Sequence, residues 1–305
     1  MTEKQGFSTP ILFMIFNRPD TTAQVFEKIR ALRPRFLYVA ADGPRADRSG
    51  EAERCHETRK IIEAVDWDCQ VKTLFRDENL GCRNAVSSAV SWFFDQVEEG
   101  IILEDDCLPD PSFFTYCAEL LEKYRRDDRI MHIGGTNYQD GNKRGDASYY
   151  FSRYPHIWGW ASWRRAWKHY DVAMTKFPEF REGNVIQTLW SDQKMQKAWM
   201  TNLQATFDGK IDTWDHQWTF SMWMQKGLSI LPNVNLISNI GWGPGATHTS
   251  DLSSRLSMMS TGSLDQLVHP RAVVFEPNAD QYSFYKYFNP TLLEKIKHRL
   301  SRVWK

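Results

Sequence analysis

Ile101-Ile102-Leu103-Glu104-Asp105-Asp106 is an apolar run that stops abruptly at three consecutive carboxylates. The apolar part reads as a buried strand, and packing three negative charges at its end costs folding free energy unless a cation or a set of donors compensates. Cations that prefer oxygen ligands, Mg²⁺ and Mn²⁺ among them, are held by such carboxylates, often together with substrate phosphates. An isolated acidic triplet is more often a solvated loop, so the surroundings decide.

Upstream of it, strand-like and helix-like segments alternate. Residues 11–16 read as a buried strand ended by Asn17-Arg18-Pro19-Asp20, and Val25, Ile29 and Leu32 repeat at helical spacing with Asp20 or Thr21 as cap. Residues 36–41 form a second strand closed by Asp42-Gly43-Pro44, residues 51–65 a helix, residues 70–75 a third strand and residues 83–97 an amphipathic helix. Such alternation predicts right-handed βαβ units and a mostly parallel central sheet flanked by helices, an α/β fold. Ligands bind such sheets at the carboxyl ends of the strands. Asn17, Arg18, Asp42 and the Glu104-Asp105-Asp106 triplet all fall there.

Past the triplet, Asp110-Pro111 starts a helix with Asp as cap and Pro at the first position, and residues 130–134 form a further strand. The pattern then loosens, and ten of the thirteen tryptophans lie between Trp158 and Trp242. Trp160, Trp163 and Trp167 have the spacing of one helix face packed into a core, while Trp158 and Trp160, flanking Gly159, are the rings expected to face a ligand. No linker or repeat forces a domain break. We expect one domain over residues 7–250, in two halves, residues 7–108 and 109–250, and a C-terminal extension over residues 251–305.

Composition excludes several classes. With 305 residues, 42% hydrophobic, the chain can bury a large core, and equal numbers of acidic and basic side chains give no electrostatic support for a nucleic-acid partner. The five cysteines are scattered without a C-x-x-C pair, which argues against a disulfide framework or zinc site and for a reducing compartment. The start of the chain lacks the apolar stretch of a signal peptide, and no apolar run reaches the ~20 residues of a membrane span, so a cytoplasmic location is expected. The last residues, from Leu292 to Trp304, are basic and amphipathic, and could rest on the inner face of an anionic membrane or pack on the body as a solvated terminal helix.

Two further clusters carry candidate chemistry. In Thr213-Trp214-Asp215-His216-Gln217-Trp218 a carboxylate stands between aromatic rings, which tends to raise its pKa and suits a general base; a plain helix cap is the competing reading. In the stretch from Asn239 to Thr249, three glycines in five residues let backbone approach a ligand closely, and His248 could reach a diphosphate or complete a metal's coordination.

The strand, Glu-Asp-Asp, Pro and Phe113-Phe114 together resemble nucleotide-sugar glycosyltransferases of the GT-A fold, and most of all the N-acetylglucosaminyltransferase I family. Pro10-Ile-Leu with Asn17-Arg18-Pro19 is similar to that family's first strand, and Asn79-x-Gly81 continues the likeness, which covers residues 8–130 well. The resemblance implies a metal-dependent, inverting glycosyltransferase with Mn²⁺ or Mg²⁺ as cofactor. It would take a nucleotide-diphosphate sugar as donor and a glycan or lipid-linked saccharide as acceptor. It places Asp106 on the metal, Glu104 and Asp105 near the ribose and sugar, Asn17 and Arg18 near the base and phosphates, and Asp42 near the uracil or ribose. Arg83 becomes a donor-site candidate and His248 a second metal ligand. The family has a Trp-Asp-Asp-Trp segment whose Asp is the catalytic base. Here His216 replaces the second Asp, so Asp215 and His216 are both carried forward, with Asp215 favoured. A sugar-nucleotide nucleotidyltransferase and a non-catalytic carbohydrate-binding protein are the alternatives. The first usually has a Gly-rich basic loop where Asn17-Arg18-Pro19-Asp20 stands; the second leaves the carboxylates without a purpose.

Overall fold

A computed structural model describes residues 6–242, 256 and 259–289. His248, the glycines at 243 and 245, and the basic stretch from Leu292 to Trp304 lie outside the described residues. Among the described residues, eight of the ten strands build one sheet. Its first strands are β1 (Ile11–Ile15), β2 (Phe36–Ala41), β3 (Gln70–Phe75) and β4 (Glu99–Glu104), joined by helices α1 (Pro19–Leu32), α2 (Glu51–Lys60) and α3 (Gly81–Phe94). All pairings among these four are parallel, as their helical crossovers require. A short strand β5 (Cys107–Pro109) and helix α4 (Ser112–Tyr124) follow, then β6 (Ile130–Gly134), β7 (Tyr149–Ser152) and β8 (Trp160–Trp163). Four helices come next: α5 (Arg164–Trp167), α6 (Phe177–Glu182), α7 (Ile186–Leu189) and α8 (Gln193–Phe207). The order ends with α9 (Asp215–Met224), β9 (Leu228–Pro232), β10 (Ile237–Asn239) and α10 (Pro277–Ser283), which continues into a π-helical turn, Phe284–Phe288.

The sheet order is β3-β2-β1-β4-β8-β6-β9-β7. β8 runs antiparallel to both its neighbours, β4 and β6, because the chain enters it from the rim without a crossover helix. The expected α/β architecture, a large and mostly parallel sheet flanked by helices, is the one observed. Alternation along β1 explains the layers: Ile11, Phe13 and Ile15 join the core under α1 and α4, whereas Leu12 and Met14 join the one under α3 and α9. A third apolar cluster, from Tyr154 to Phe284, binds α6, α7 and α8 to the π-helical turn.

The tryptophan spacing misled. Trp160 and Trp163 lie on strand β8, and only Arg164–Trp167 is helical. Their odd separation sends Trp160 to one face of the sheet and Trp163 to the other, both fully buried. Trp160 is therefore core and does not face a ligand, whereas Trp158 lines a cavity. The first helix also departs from expectation: it begins at Pro19, with Arg18 at the cap position and no side-chain capping bond. Pro111 stands at the cap position of α4 rather than inside it, and Asp110, one residue earlier, accepts from the Ser112 amide at 2.9 Å.

Residues 259–289 pack against the body. The amide of Glu276 donates to the Phe151 carbonyl at 2.9 Å, and the buried Asp280 accepts from the Ser152 hydroxyl and the Arg153 amide.

Candidate active site

The register between β1 and β4 brings Met14 opposite Glu104, so the acidic triplet emerges beside the turn that follows β1. Two contacts hold it there. The amide of Phe16 donates to Asp105 Oδ2 at 3.0 Å, and Arg18 Nη1 donates to Asp106 Oδ2 at 2.8 Å while standing 4.0 Å from Asp105 Oδ1. One guanidinium thus answers three carboxylates. The imbalance is visible in their protonation: burial, then the negative charges of Asp106, Asp105 and Asp215, hold the Glu104 carboxyl well above the ordinary range. Burial and Asp106 do the same to Asp105, with Arg18 and the Phe16 amide opposing.

The β5–β10 ribbon closes the site from the other side. Cys107 pairs with Asn239, and the Ile240 amide donates to the Asp106 carbonyl at 2.8 Å. The next residue, Gly241, runs so close that a Cβ there would lie 2.1 Å from Asp106 Oδ2 and 2.7 Å from Arg18 Nη1. Glycine is required here by space.

An inner cleft of about 500 Å³ opens at this rim. Arg18, Asp42, Glu104, Asp105, Asp106 and Asp215 all line it. Asp42 accepts from the Leu80 amide at 3.1 Å, and burial nevertheless pushes its carboxyl up. Two expected residues stand apart. Asn17 is not among the lining side chains; its amide donates to Glu51 Oε1 at 2.8 Å. Arg83 does not line the cleft either, and its Nε lies 4.0 Å from Asp212.

The Asn17 contact exposes a device that the sequence did not announce. Glu51 is fully buried at the start of α2 and accepts from the Arg45 amide at 2.7 Å as well as from its guanidinium. Hydrogen bonds from Arg45, stronger than the opposing burial, lower the Glu51 carboxyl to about 2. Arg45 lines the cleft and lies over the Phe16 ring, 5.7 Å from its centroid. Asn17 and Glu51 therefore act behind the cleft, fixing a second cation in it. On a polar helix such as α2, a buried Glu is indistinguishable in sequence from a solvated one.

A larger outer cavity, about 830 Å³, adjoins the cleft. Asp215, Ile157 and Trp158 line both. Asp215 is the first residue of α9, where the partly positive helix end favours a carboxylate, and it accepts from the Thr213 hydroxyl. His216 lines the outer cavity alone. His216 Nδ1 and the Thr206 hydroxyl share a hydrogen bond at 2.7 Å, which fixes the ring, and the same hydroxyl lies 2.9 Å from the Asn202 carbonyl. Gly159 sets the position of Trp158: it adopts φ +60°, and a Cβ would lie 2.5 Å from Ile237.

No protein-family model matches the chain, and no curated protein matches it. Solved structures do overlap with parts of it. A cytidylyltransferase from Leptospira borgpetersenii shares 14% identity over 59% of this chain and 70% of its own, with a TM-score of 0.35. Mouse xyloside xylosyltransferase 1 in its apo form shares 10% identity over 81% of this chain and 86% of its own, also at 0.35. A UDP-glucose pyrophosphorylase complexed with UDP-glucose shares 9% identity over 52% of this chain and 78% of its own, at 0.30. Overlap this partial assigns no activity, and the function has to be argued from the site.

Proposed function

We propose that the protein is a glycosyltransferase that binds a nucleotide-diphosphate sugar in the inner cleft and passes the sugar to a hydroxyl presented in the outer cavity. The observation that carries this reading is Asp215, a carboxylate shared by two adjoining cavities. A transferase needs a base at the boundary between donor and acceptor. A nucleotidyltransferase, whose substrates share one site, leaves the second cavity unexplained, and a simple carbohydrate-binding protein leaves the acidic rim unexplained.

A divalent cation, Mn²⁺ or Mg²⁺, fits the donor set: oxygen ligands, carboxylates in excess, and a single guanidinium in partial compensation. Among the described residues no group of three or more His, Cys, Asp or Glu side chains is placed to hold a metal ion by itself, so Asp106 would be the anchoring ligand, with His248 proposed as the second and oxygens of the donor's phosphates supplying the rest. Bound there, the ion would supply Lewis-acid stabilisation of the departing diphosphate.

The chain's own residues account for the rest. Arg18 and Arg45 would offer positive charge to the diphosphate, and Asp42, which lines the same cleft, would meet the nucleoside. Asp215 takes the proton from the acceptor hydroxyl as its oxygen attacks the anomeric carbon. The bond from that carbon to the diphosphate oxygen breaks, and its electron pair leaves with the diphosphate. Attack opposite the leaving group inverts the anomeric centre. His216 stays on the acceptor side, where its imidazole would orient the incoming saccharide.

The test is a panel of nucleotide-sugars with Mn²⁺, scored for binding and turnover. Wild type should bind and turn over at least one member. Asp215→Asn should keep binding and lose roughly 10²–10⁴-fold in transfer, the usual worth of a positioned base. Asp106→Ala should lose both. Failure of every nucleotide-sugar to bind, or full turnover by Asp106→Ala, would sink the proposal.

A further inference from the structure

The outer cavity has a chemistry of its own. Helix α8 presents Lys194, Lys197 and Thr201 to it, at the spacing of one helix face. Lys210 is the only lysine with an ion pair among the described residues; neither Lys194 nor Lys197 has one. Asp215, at the boundary with the cleft, is the only carboxylate among the described lining residues. Two ammonium groups without an ion pair among the described residues therefore stand beside one cavity.

Another wall is aromatic. Trp199 is half-buried and held in place: its Nε1–H donates to the Tyr154 hydroxyl at 3.0 Å, and Trp223 packs edge-on at 4.9 Å. Tyr138, Trp158 and Phe288 extend this wall. Aromatic faces suit the C–H faces of a pyranose. His156, also lining the cavity, supplies an independent sign of a ligand. It is 2% exposed, and its Nδ1 meets the Thr136 carbonyl at 3.1 Å. A carbonyl only accepts, so Nδ1 carries the proton and Nε2 carries a lone pair. That Nε2 is buried and has no hydrogen-bond partner among the described residues. Burial lowers its pKa to about 4, so the ring stays neutral and the lone pair stays available. A buried acceptor without a donor costs stability, and a bound hydroxyl would recover it.

Building on the transferase reading, we propose that the outer cavity takes an acidic saccharide. Its ring would lie against Trp199 and Tyr138, a hydroxyl would donate to His156 Nε2, and a carboxylate or phosphate would meet Lys194 and Lys197. A uronic acid and a phosphate-bearing or phospholipid-linked sugar share this chemistry.

The experiment measures binding before chemistry. Matched oligosaccharides in three sets (neutral, uronic acid-bearing, phosphate-bearing) are titrated into the full chain at low and high salt, beside a panel of nucleoside diphosphates with Mn²⁺. The same titrations are run on Lys194→Gln/Lys197→Gln, whose two positions are exposed. Acidic members of at least one set should bind roughly tenfold more tightly than their neutral counterparts, as expected for hydrogen bonds to charged groups. That margin should shrink with salt and vanish in the double variant, while nucleoside diphosphate binding is unchanged. Which acidic set binds identifies the source of the charge. Equal binding of neutral and acidic members, a preference that survives in the double variant, or no oligosaccharide bound at all would overturn the inference. Acidic preference without any nucleoside diphosphate binding would overturn the transferase reading and keep the acidic-saccharide site.

Discussion

Arg18 and Asp106 face each other at 2.8 Å across the ends of β1 and β4, with side chains 22% and 15% exposed. This pair is the main counterweight to the acidic rim. In Arg18→Gln the three carboxylates lose their neighbouring cation, and the protein without added metal should lose about 1–3 kcal/mol of stability. Mn²⁺ should then raise the melting temperature of the variant more than that of the wild type. Equal shifts in thermal denaturation would show that Arg18 and the ion do not share the same carboxylates.

Gly241→Ala tests how tightly the ribbon is drawn against the rim. The added methyl would overlap Asp106 and Arg18, whereas the core elements lie elsewhere. Turnover should fall by about two orders of magnitude or more, in keeping with the effect of small misplacements at an active site. Circular dichroism should show the fold retained. Near-normal turnover would mean the ribbon yields without moving Asp106.

Glu51→Gln addresses the positioning of Arg45. The amide can still accept from Asn17 but no longer balances the guanidinium, so Arg45 should wander. The expected signature is a donor KM raised roughly tenfold with kcat little changed, a loss of ground-state and transition-state binding alike. Asn17→Ala should move the same parameter in the same direction by less. An effect on kcat alone would assign Glu51 some other part.

Asp280 gives a pH test away from the site. Burial raises its carboxyl to about 7, against the Ser152 hydroxyl, the Arg153 amide and the Arg153 charge, while Glu276 adds to the rise. A folded-state pKa above the unfolded one means that the native protein binds the extra proton. Its stabilising share is complete below the ordinary carboxylate range and is lost as pH rises through about 7. Asparagine reproduces the neutral form, so denaturant melts of wild type and Asp280→Asn should lie closest at about pH 4 and separate as pH rises to about 8, with the wild type losing stability relative to the variant. A constant difference would mean that Asp280 stays ionised.

The first four strands were legible because each is a short apolar run bounded by turn residues, and the parallel topology then put Arg18, Asp42 and the acidic triplet on one rim. Asp215 was legible as an oddity, a carboxylate among tryptophans. Less could be read beyond residue 140. Trp160 and Trp163 imitate a helix face by spacing, yet a strand accepts both because each of its sides has a core to fill. Glu51 and Arg45 were invisible because their value lies in a contact made only by the fold. Lys194 and Lys197 look like any solvated helix face until the cavity beside them is seen.

The two cavities draw on different parts of the chain. Apart from a few residues near positions 157, 214 and 239, the inner cleft is lined by the first 106 residues. The wall of the outer cavity takes Tyr138, His156, Trp199 and Phe288 from four separate segments. Substitutions in those segments leave the acidic rim untouched. If the inner cleft takes the donor and the outer cavity the acceptor, as proposed, a lineage of such chains can change the recipient of its sugar many times over while keeping the same donor, with Asp215 as the point that both specificities must leave unaltered.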